Sequence, residues 1–444
     1  MRRAISGILA IGSCGLLACE ADDLSSSTTG TSTSTQTTTS TATGGSGGTT
    51  TTGAGGTAGE GGSGGAGGAT TTSAGGGTTT TGEGGQGGSG GQGGSGGGQG
   101  GGGATGTLLV LAGGIPDSLA TAATWSAGAW TTASVNLQFK DAALASTEGG
   151  ALAVMRRLSN NPPMGDDDLY LATWTAGGGF GAPATTGAAA KDAPALAPHG
   201  VATMLAALDA QNKHVFAQHE AGQLGPFGAV PAGMPGSQAF GPSGPALAHF
   251  GAASVYISYS GDDEKLYMSV KSGPGSVWTP SQQVPVSPTV NAHTPALVVD
   301  GADDVHFYHV RKSDGRVCTA SLITPQNAWN PEEVVHADAI TNRSPAAGLL
   351  PNGDLLVAWH GFDNNGIYFS RRQGGVWSAP VTVEEPAMPS SAPVVVVGLG
   401  GADAEILYTA GAKLRWARVS GTTATFGPDP GVSNVSSLAA LVVP

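Results

Sequence analysis

The chain has 444 residues, of which 76 are Gly, and its formal net charge is −13 at neutral pH. The glycines are concentrated near one end, because 35 of them lie in the 83 residues from Leu24 to Gly106. That stretch cannot bury enough apolar surface to offset its chain entropy, so the sequence predicts a disordered linker. The remaining 338 residues contain 16 Lys and Arg against 26 Asp and Glu. An acidic surface without a basic stripe excludes nucleic acid as a partner and favours a neutral ligand.

The N-terminus has the pattern of a secretory leader. Two arginines precede an apolar run from Ala4 to Ala18, which is shorter than the roughly 20 residues needed to span a bilayer. The run ends in Leu16-Leu17-Ala18-Cys19, and acidic residues follow. This resembles the lipobox of bacterial lipoproteins and implies that residues 1–18 are a signal peptide and that Cys19 is acylated and inserts into a membrane. An ordinary cleaved leader is the alternative, and Cys14 is a second candidate that would leave a shorter apolar run.

The chain therefore divides into a signal peptide (1–18), a linker that begins at the lipidated cysteine (19–106) and a folded part (107–444). Loss of Cys14 and acylation of Cys19 leave Cys318 alone, so no internal disulfide is expected. A linker of this composition reaches about 50 Å, at roughly 5–6 Å times the square root of its length. We expect it to hold a folded monomer away from a membrane of the bacterial cell envelope.

The folded part is a repeat. An aromatic residue followed by a small residue recurs every 47 to 51 positions, at Trp130, Phe180, Phe227, Trp278, Trp329, Trp377 and Phe426. A proline followed by small or apolar residues has the same period, at Pro194, Pro245, Pro295, Pro345 and Pro393. Two independent markers with one period indicate a repeat architecture.

Each repeat unit is predicted to contain four short antiparallel strands, as in a blade of a β-propeller. In one unit these are Pro345–Leu350, Asp354–His360, Ile367–Arg371 and Trp377–Val383. The first unit supplies only strands two to four, at Thr107–Ala112, Leu119–Trp125 and Trp130–Leu137. The C-terminal run 439–443 matches strand one of another unit, so we expect it to complete the first blade. The sequence thus predicts an all-β, seven-bladed propeller with the C-terminal strand closing the first blade.

Two segments resemble the Asp-box of sialidase-like propellers, which reads Ser/Thr-x-Asp-x-Gly-x-x-Trp. Residues 370–377 keep the Ser, Gly and Trp but have Arg372 at the aspartate position. Residues 173–180 keep the frame with Thr175 there and Phe at the end. Arg343-Ser344-Pro345 also looks like the start of that family's Arg-Ile-Pro motif. The resemblance implies the fold more than the activity, because the box is degenerate.

A sialidase requires three arginines that clamp the substrate carboxylate, a Tyr–Glu nucleophile pair and an acid/base Asp. Only Arg343 matches a motif position here, and no pattern places Arg156, Arg157 or Arg311 beside it. The sequence therefore predicts no catalytic residues. It predicts no metal site and no cofactor either, because His306 and His309 are three positions apart on one strand and so point to opposite faces, as do His214 and His219.

One set of side chains favours ligand binding. Counting 14 residues from the repeat proline, strand two presents Tyr259, His309 and Trp359 in successive blades, and Tyr408 follows with a one-residue shift. The loops that enter strand one on the same face carry His293 and Arg343. Flat rings with polar edges are suited to neutral sugars. The alternative is that these side chains pack between blades as core.

The sequence therefore leaves three functions open. The first is a cell-envelope lipoprotein that presents a non-catalytic, lectin-like recognition module for glycans. The second is a sialidase-like glycoside hydrolase with degenerate motifs. The third is a scaffold that docks another envelope protein.

Overall fold

The computed structural model of the protein describes residues 106–114, 118–157, 167–233, 238–251, 254–289, 293–389, 391–397, 399 and 401–443. The predicted signal peptide, Cys19 and the linker up to residue 105 lie outside the described residues. Within these ranges, no helix combines the length and the apolarity needed to cross a membrane.

The described chain forms seven antiparallel sheets, the blades of a β-propeller. With strands in order from the first to the fourth position, these are blade 1 (Val435–Val443, Thr107–Gly114, Ala120–Ser126, Ala129–Val135), blade 2 (Phe139–Thr147, Gly150–Arg157, Asp167–Thr175, Gly179–Phe180) and blade 3 (Ala195–His199, Ala202–Leu208, His214–Glu220, Gln223–Leu224). Blades 4 and 5 are Ala246–Phe250, Ser254–Ser260, Leu266–Lys271 and Gln282–Gln283, then Ala296–Val299, Val305–Val310, Val317–Ile323 and Ala328–Val334. Blades 6 and 7 are Ala346–Leu349, Leu355–His360, Ile367–Gln373 and Val376–Trp377, then Val394–Val397, Ala404–Ala410, Lys413–Ser420 and Thr423–Phe426.

Three blades have a further segment beside the fourth strand that pairs with the third strand: Ala184–Ala190 in blade 2, Gly228–Ala229 in blade 3 and Val381–Glu384 in blade 6. A short 3-10 helix, Thr324–Gln326, precedes the fourth strand of blade 5. The first three predicted strands of blade 6 are confirmed to within two residues at each end, whereas the predicted fourth strand, Trp377–Val383, is divided into Val376–Trp377 and Val381–Glu384.

The predicted closure of the ring is confirmed. The C-terminal strand is the first strand of blade 1, and it pairs antiparallel with Thr107–Gly114 in a register that sets Leu441 opposite Leu109. The first strands of neighbouring blades contact one another from blade 1 to blade 7 and back to blade 1. Because the C-terminal strand covers Thr107–Gly114, that strand does not present an unpaired edge at which another chain could add and start aggregation.

The core lies at the junctions between blades. Seven clusters of buried apolar side chains lie among the described residues, and each combines residues of two adjacent blades. Alternation along a strand explains this arrangement, because Leu109 packs toward blade 2 and Leu108 and Val110 pack toward blade 7. Burial of one such side chain contributes about 1.5–3 kcal/mol, so the junctions supply most of the apolar stabilisation.

Two kinds of loop meet at one edge of each junction. We call the segment that leads from one blade into the first strand of the next the incoming connection, and the turn between the second and third strands the 2–3 turn. Backbone bonds join them: Phe362 N, in the 2–3 turn of blade 6, donates to Ile340 O of the incoming connection over 3.1 Å. Thr289 and Arg311 pair in the same way at blade 5.

Candidate functional site

The four second-strand side chains predicted to bind a ligand are all buried. Tyr259 and His309 are 2% exposed, Trp359 is 1% exposed and Tyr408 is 0% exposed. Tyr259, Trp359 and Tyr408 belong to the apolar clusters between blades. The structure thus places them in the packing role that the sequence left open as the alternative, and their predicted contact with a ligand remains a prediction.

Each of these residues has a cross-strand partner on the third strand. The register defines four pairs, one in each of blades 4 to 7: Tyr259–Tyr267, His309–Cys318, Trp359–Tyr368 and Tyr408–Arg415. In blades 4, 6 and 7 the third-strand residue is the more exposed of the two, and we call it the outer member; in blade 5 both residues are buried. In blades 4 and 6 the outer member is a half-buried tyrosine. These two blades therefore present an aromatic ring to solvent that rests on a buried one.

Clefts open beside three of these pairs, between the 2–3 turn and the incoming connection. The blade 6 cleft has a volume of about 470 Å³, the blade 4 cleft about 400 Å³ and the blade 7 cleft about 280 Å³. Volumes near 300–1,000 Å³ are typical of small-molecule sites. The clefts occupy equivalent positions because each arises from the same two loops of the repeat.

In the blade 4 cleft, Tyr267 stacks on Tyr259 with ring centroids 5.6 Å apart and planes 19° from parallel. The Tyr267 hydroxyl donates to Asp263 Oδ2 over 2.8 Å, and Tyr259 donates to Ser281 Oγ over 2.8 Å. Phe240, which is 40% exposed, and Gln238 line the opposite wall. The cleft thus combines an accessible ring with an oriented carboxylate.

In the blade 6 cleft, Tyr368 stacks on Trp359 with centroids 6.1 Å apart and planes 25° from parallel. The Tyr368 hydroxyl donates to Glu385 Oε2 and accepts a 2.5 Å hydrogen bond from Asn364 Nδ2. His336 and Asp338 line the opposite wall. The arrangement of blade 4 is therefore repeated here with different polar partners.

A glycine at the start of the 2–3 turn gives each tyrosine its place. A Cβ on Gly261 would lie 2.7 Å from Tyr267 Cε2 and 2.8 Å from Asp263 Oδ1. A Cβ on Gly361 would lie 2.7 Å from Tyr368 Cε2 and 2.5 Å from Asn364 Oδ1. A Cβ at either position would force the ring and its polar partner to shift, so glycine is what allows this close packing.

The blade 7 cleft has a different character. Its outer residue is Arg415, and the hydroxyl of Tyr408 is held by Glu384 Oε2 at 2.6 Å. Lys413 and the 66% exposed Met388 complete the lining. Without an accessible ring, this cleft lacks the stacking surface of blades 4 and 6.

Blade 5 has a tightly bonded 2–3 turn. Arg311 Nε donates to Asp314 Oδ1 over 3.0 Å, and Arg316 Nη1 donates to Asp314 Oδ2 over 2.9 Å. Behind this turn, His309 Nε2 lies 3.4 Å from Glu332 Oε1. Burial raises the pKa of the nearby Cys318 thiol to about 12, so the thiol is neutral in the free protein.

Burial also keeps the cleft tyrosines protonated. Desolvation, followed by the hydrogen bond to Asp263, raises the pKa of Tyr267 to about 12. Desolvation, followed by the hydrogen bond to Glu385, raises the pKa of Tyr368 to about 12. Both hydroxyls therefore remain hydrogen-bonding groups over the physiological pH range, and neither is prepared to act as a nucleophile.

His293 and Arg343 lie on incoming connections, three residues before the first strands of blades 5 and 6. Both are half-buried. The described residues that line the three clefts do not include either of them. Their predicted contact with a ligand remains a prediction.

Two of the arginines considered for a carboxylate clamp are engaged by carboxylates of the protein itself. Arg156 is 2% exposed in blade 2, where its Nε donates to Asp141 Oδ2 over 2.8 Å. Arg311 is held by Asp314 in blade 5. Both guanidinium groups are therefore already paired with an aspartate of their own blade, whereas a carboxylate clamp needs guanidinium groups that are available to the substrate.

The tyrosines Tyr267 and Tyr368 were missed by the sequence analysis, which stopped at the second strand. A signal for them exists, because a hairpin register fixes which residue of the third strand lies opposite each second-strand ring. For blade 4 the turn at Asp262-Asp263-Glu264 sets Tyr267 opposite Tyr259. Asp263 in this turn is exposed, and its carboxylate orients the Tyr267 ring.

Comparison with known proteins supports the fold. No family model matches the chain, and no curated protein matches it by sequence. Among solved structures, the BP39L lectin from Burkholderia pseudomallei is similar, with a TM-score of 0.56 and 15% identity over 74% of this chain and 95% of that one. A lectin from Aleuria aurantia, described as a six-bladed β-propeller that recognises fucose, has a TM-score of 0.44 and 15% identity over 64% of this chain and 93% of that one. At 15% identity, the similarity to the BP39L lectin shows a shared fold alone.

Proposed function

We propose that this protein is a non-catalytic recognition module that binds neutral sugars in the clefts of blades 4 and 6. The observation that carries the proposal is the repeated pair of stacked rings, Tyr267 on Tyr259 and Tyr368 on Trp359, each with its outer hydroxyl tied to a carboxylate. An accessible ring offers a flat apolar surface to the C–H face of a sugar, and the adjacent carboxylate accepts bonds from its hydroxyls. The buried rings that the sequence selected would act as supports.

The charges around these clefts favour an uncharged ligand. Asp262 and Asp263 border the blade 4 cleft, and Asp338 and Asp363 border the blade 6 cleft. Among the described residues that line the two clefts there is no arginine, and Lys265, beside the blade 4 cleft, is already paired with Asp263 at 3.1 Å. A sialylated or phosphorylated ligand would therefore meet carboxylates there without a guanidinium to pair with. The shared fold with a lectin is compatible with this proposal, which rests on the cleft geometry.

We further propose that the module belongs to a lipoprotein of the bacterial cell envelope, acylated at Cys19 and carried by the linker. The support is the lipobox-like sequence and the Gly-rich composition of residues 24–106. Two or more weak sugar sites on one tethered module would gain by avidity on a surface that carries many copies of a glycan. Metabolic labelling with a fatty-acid analogue, compared between wild type and Cys19→Ala, tests the anchor.

A glycan array probed with the purified full-length chain tests the recognition role. Binding to neutral glycans is the expected result. Binding confined to sialosides would contradict the neutral-sugar proposal and favour the sialidase-like alternative. A blank array from folded protein would overturn carbohydrate binding and favour a scaffold that docks another envelope protein.

A further inference from the structure

Three metal-ligating side chains lie together in blade 5. His309 is on the second strand, Cys318 is its direct partner on the third strand, and Glu332 is on the fourth strand. One ligand atom from each lies within 4.8 Å of the other two. The group thus forms a row across three adjacent strands of one blade.

The hydrogen bonds of this row are incomplete. His309 is 2% exposed, and its Nδ1 has no hydrogen-bond partner among the described residues. Its Nε2 meets only Glu332 Oε1, at 3.4 Å, which is long for a hydrogen bond. The Cys318 thiol, at 0% exposure, has a weak contact of 3.7 Å with Arg316 O. The imidazole is therefore a buried donor whose hydrogen-bonding capacity is not used by the described residues, beside a thiol and a carboxylate.

We propose that His309, Cys318 and Glu332 bind a zinc ion, with a water molecule as the fourth ligand. The donor set selects this class of metal, because nitrogen and sulfur donors disfavour Ca²⁺ and Mg²⁺, and a Cys, His and carboxylate set suits Zn²⁺. This revises the sequence-based prediction of no metal site. The site is separate from the sugar clefts of blades 4 and 6.

The spacing fits tetrahedral coordination. In such a site, with zinc–nitrogen and zinc–oxygen distances of about 2.0–2.1 Å, two ligand atoms are separated by about 3.3–3.4 Å. His309 Nε2 and Glu332 Oε1 have this separation, at 3.4 Å. Cys318 Sγ lies within 4.8 Å of both atoms, so it has to move closer to them, and its thiol gives up a proton to solvent as it binds the ion.

The charges also balance. The carboxylate of Glu332 and a thiolate at Cys318 would neutralise a divalent ion, while the neighbouring Arg311 is neutralised by Asp314. Glu332 is held in place from the other side, because Ser287 N of the incoming connection donates to its Oε2 over 2.8 Å. Bound zinc would therefore fasten three strands of blade 5 to the segment arriving from blade 4.

Cobalt(II) titration tests the site directly, since a Co²⁺–thiolate bond gives an intense charge-transfer absorption. The full-length chain is used after dialysis against chelator, with Cys14→Ser and Cys19→Ser so that Cys318 is the only thiol. We expect the band to saturate at one Co²⁺ per chain and to disappear when one equivalent of Zn²⁺ is added. A folded protein that shows no band would overturn the proposal.

Three variants in the same background identify the ligands. Cys318→Ser should abolish the band, and Glu332→Gln should weaken Co²⁺ binding by at least about tenfold, since even outer-shell partners act on that scale. His306→Asn is the matched control: it removes a histidine of the same strand that also has a carboxylate neighbour, Asp300 at 3.2 Å, and Co²⁺ binding should be unchanged. If Cys318→Ser does not fold, Glu332→Gln decides, because the Glu332 side chain is already 13% exposed. A band that survives unchanged in Glu332→Gln contradicts the proposed ligand set.

Discussion

Tyr368 stacks on Trp359 with 6.1 Å between the ring centroids. The Tyr368 side chain is half-buried, whereas Trp359 is only 1% exposed. The same relationship recurs two blades earlier, between Tyr267 and Tyr259. In each pair the buried ring packs against the outer tyrosine and so limits the orientations of the tyrosine side chain. Less conformational entropy is then lost when a ligand stacks on it, which favours binding by a shallow site.

The hydroxyl of Tyr368 should contribute to sugar binding separately from the ring. Tyr368→Phe keeps the stacked surface but removes the group that joins Glu385 to Asn364. We expect affinity for the best array glycan to fall several-fold, since one hydrogen bond contributes about 0.5–1.5 kcal/mol. Calorimetric titration measures this. Tyr170→Phe, which removes a hydroxyl bonded to Arg157 on blade 2, is the control and should bind normally.

The glycine beneath the ring should be needed for the cleft. In Gly361→Ala the new Cβ would meet Tyr368 Cε2 at 2.7 Å, so the ring must move. We expect a loss of about 1–3 kcal/mol in the free energy of unfolding, as for other overpacked sites, together with weaker sugar binding. Gly273→Ala adds a Cβ with nothing within 4 Å and should alter neither. Equal effects of the two substitutions would refute the role of close packing at Gly361.

The repeat arithmetic predicted the blades, their strands and the closing C-terminal strand, because alternating patterns and turn residues are local signals. It did not predict which ring of each pair meets solvent, since that depends on how far the incoming connection covers the second strand. His309 and Cys318 were within reach of the sequence, because the Ser313-Asp314-Gly315 hairpin sets them opposite each other. The position of Glu332 could not be predicted from the sequence, because the pairing of the third and fourth strands has a register shift between Thr319 and Ser321.

His214 should make the protein sensitive to acid. Full burial lowers the pKa of this histidine to about 3 from 6.5, so the folded protein keeps it neutral while the unfolded chain takes up a proton below pH 6.5. Stability is therefore present above pH 6.5 and is lost as the pH falls toward 3. At pH 5, which is 1.5 pH units below 6.5, the free energy of unfolding is lower by about 2 kcal/mol, because each pH unit contributes about 1.36 kcal/mol.

Thermal unfolding between pH 7 and pH 5 measures this contribution. His214→Phe keeps a ring against Tyr259, which lies 4.3 Å away in the native protein, and removes the titration. The variant should lose less stability on acidification than wild type. Parallel pH profiles for the two proteins would show that His214 does not govern the acid response.

The closing strand should be essential to the stability of the ring. Leu441 is 1% exposed and packs at the junction of blades 1 and 2. Leu441→Ala should cost about 2–5 kcal/mol in the free energy of unfolding, the range for buried leucines. Val376→Ala, at a side chain that is 71% exposed, should change it by less than about 0.5 kcal/mol. Urea unfolding of both variants provides the comparison.

The number of sugars bound per chain is the most direct test of the proposed function. Isothermal titration of the full-length chain with the best array glycan should give two sites in wild type, one in Tyr267→Ala, one in Tyr368→Ala and none in the double variant. Near-ultraviolet circular dichroism establishes that each variant is folded. If the folded double variant binds the glycan with the stoichiometry and affinity of wild type, the clefts of blades 4 and 6 are not the sugar sites and the account is wrong.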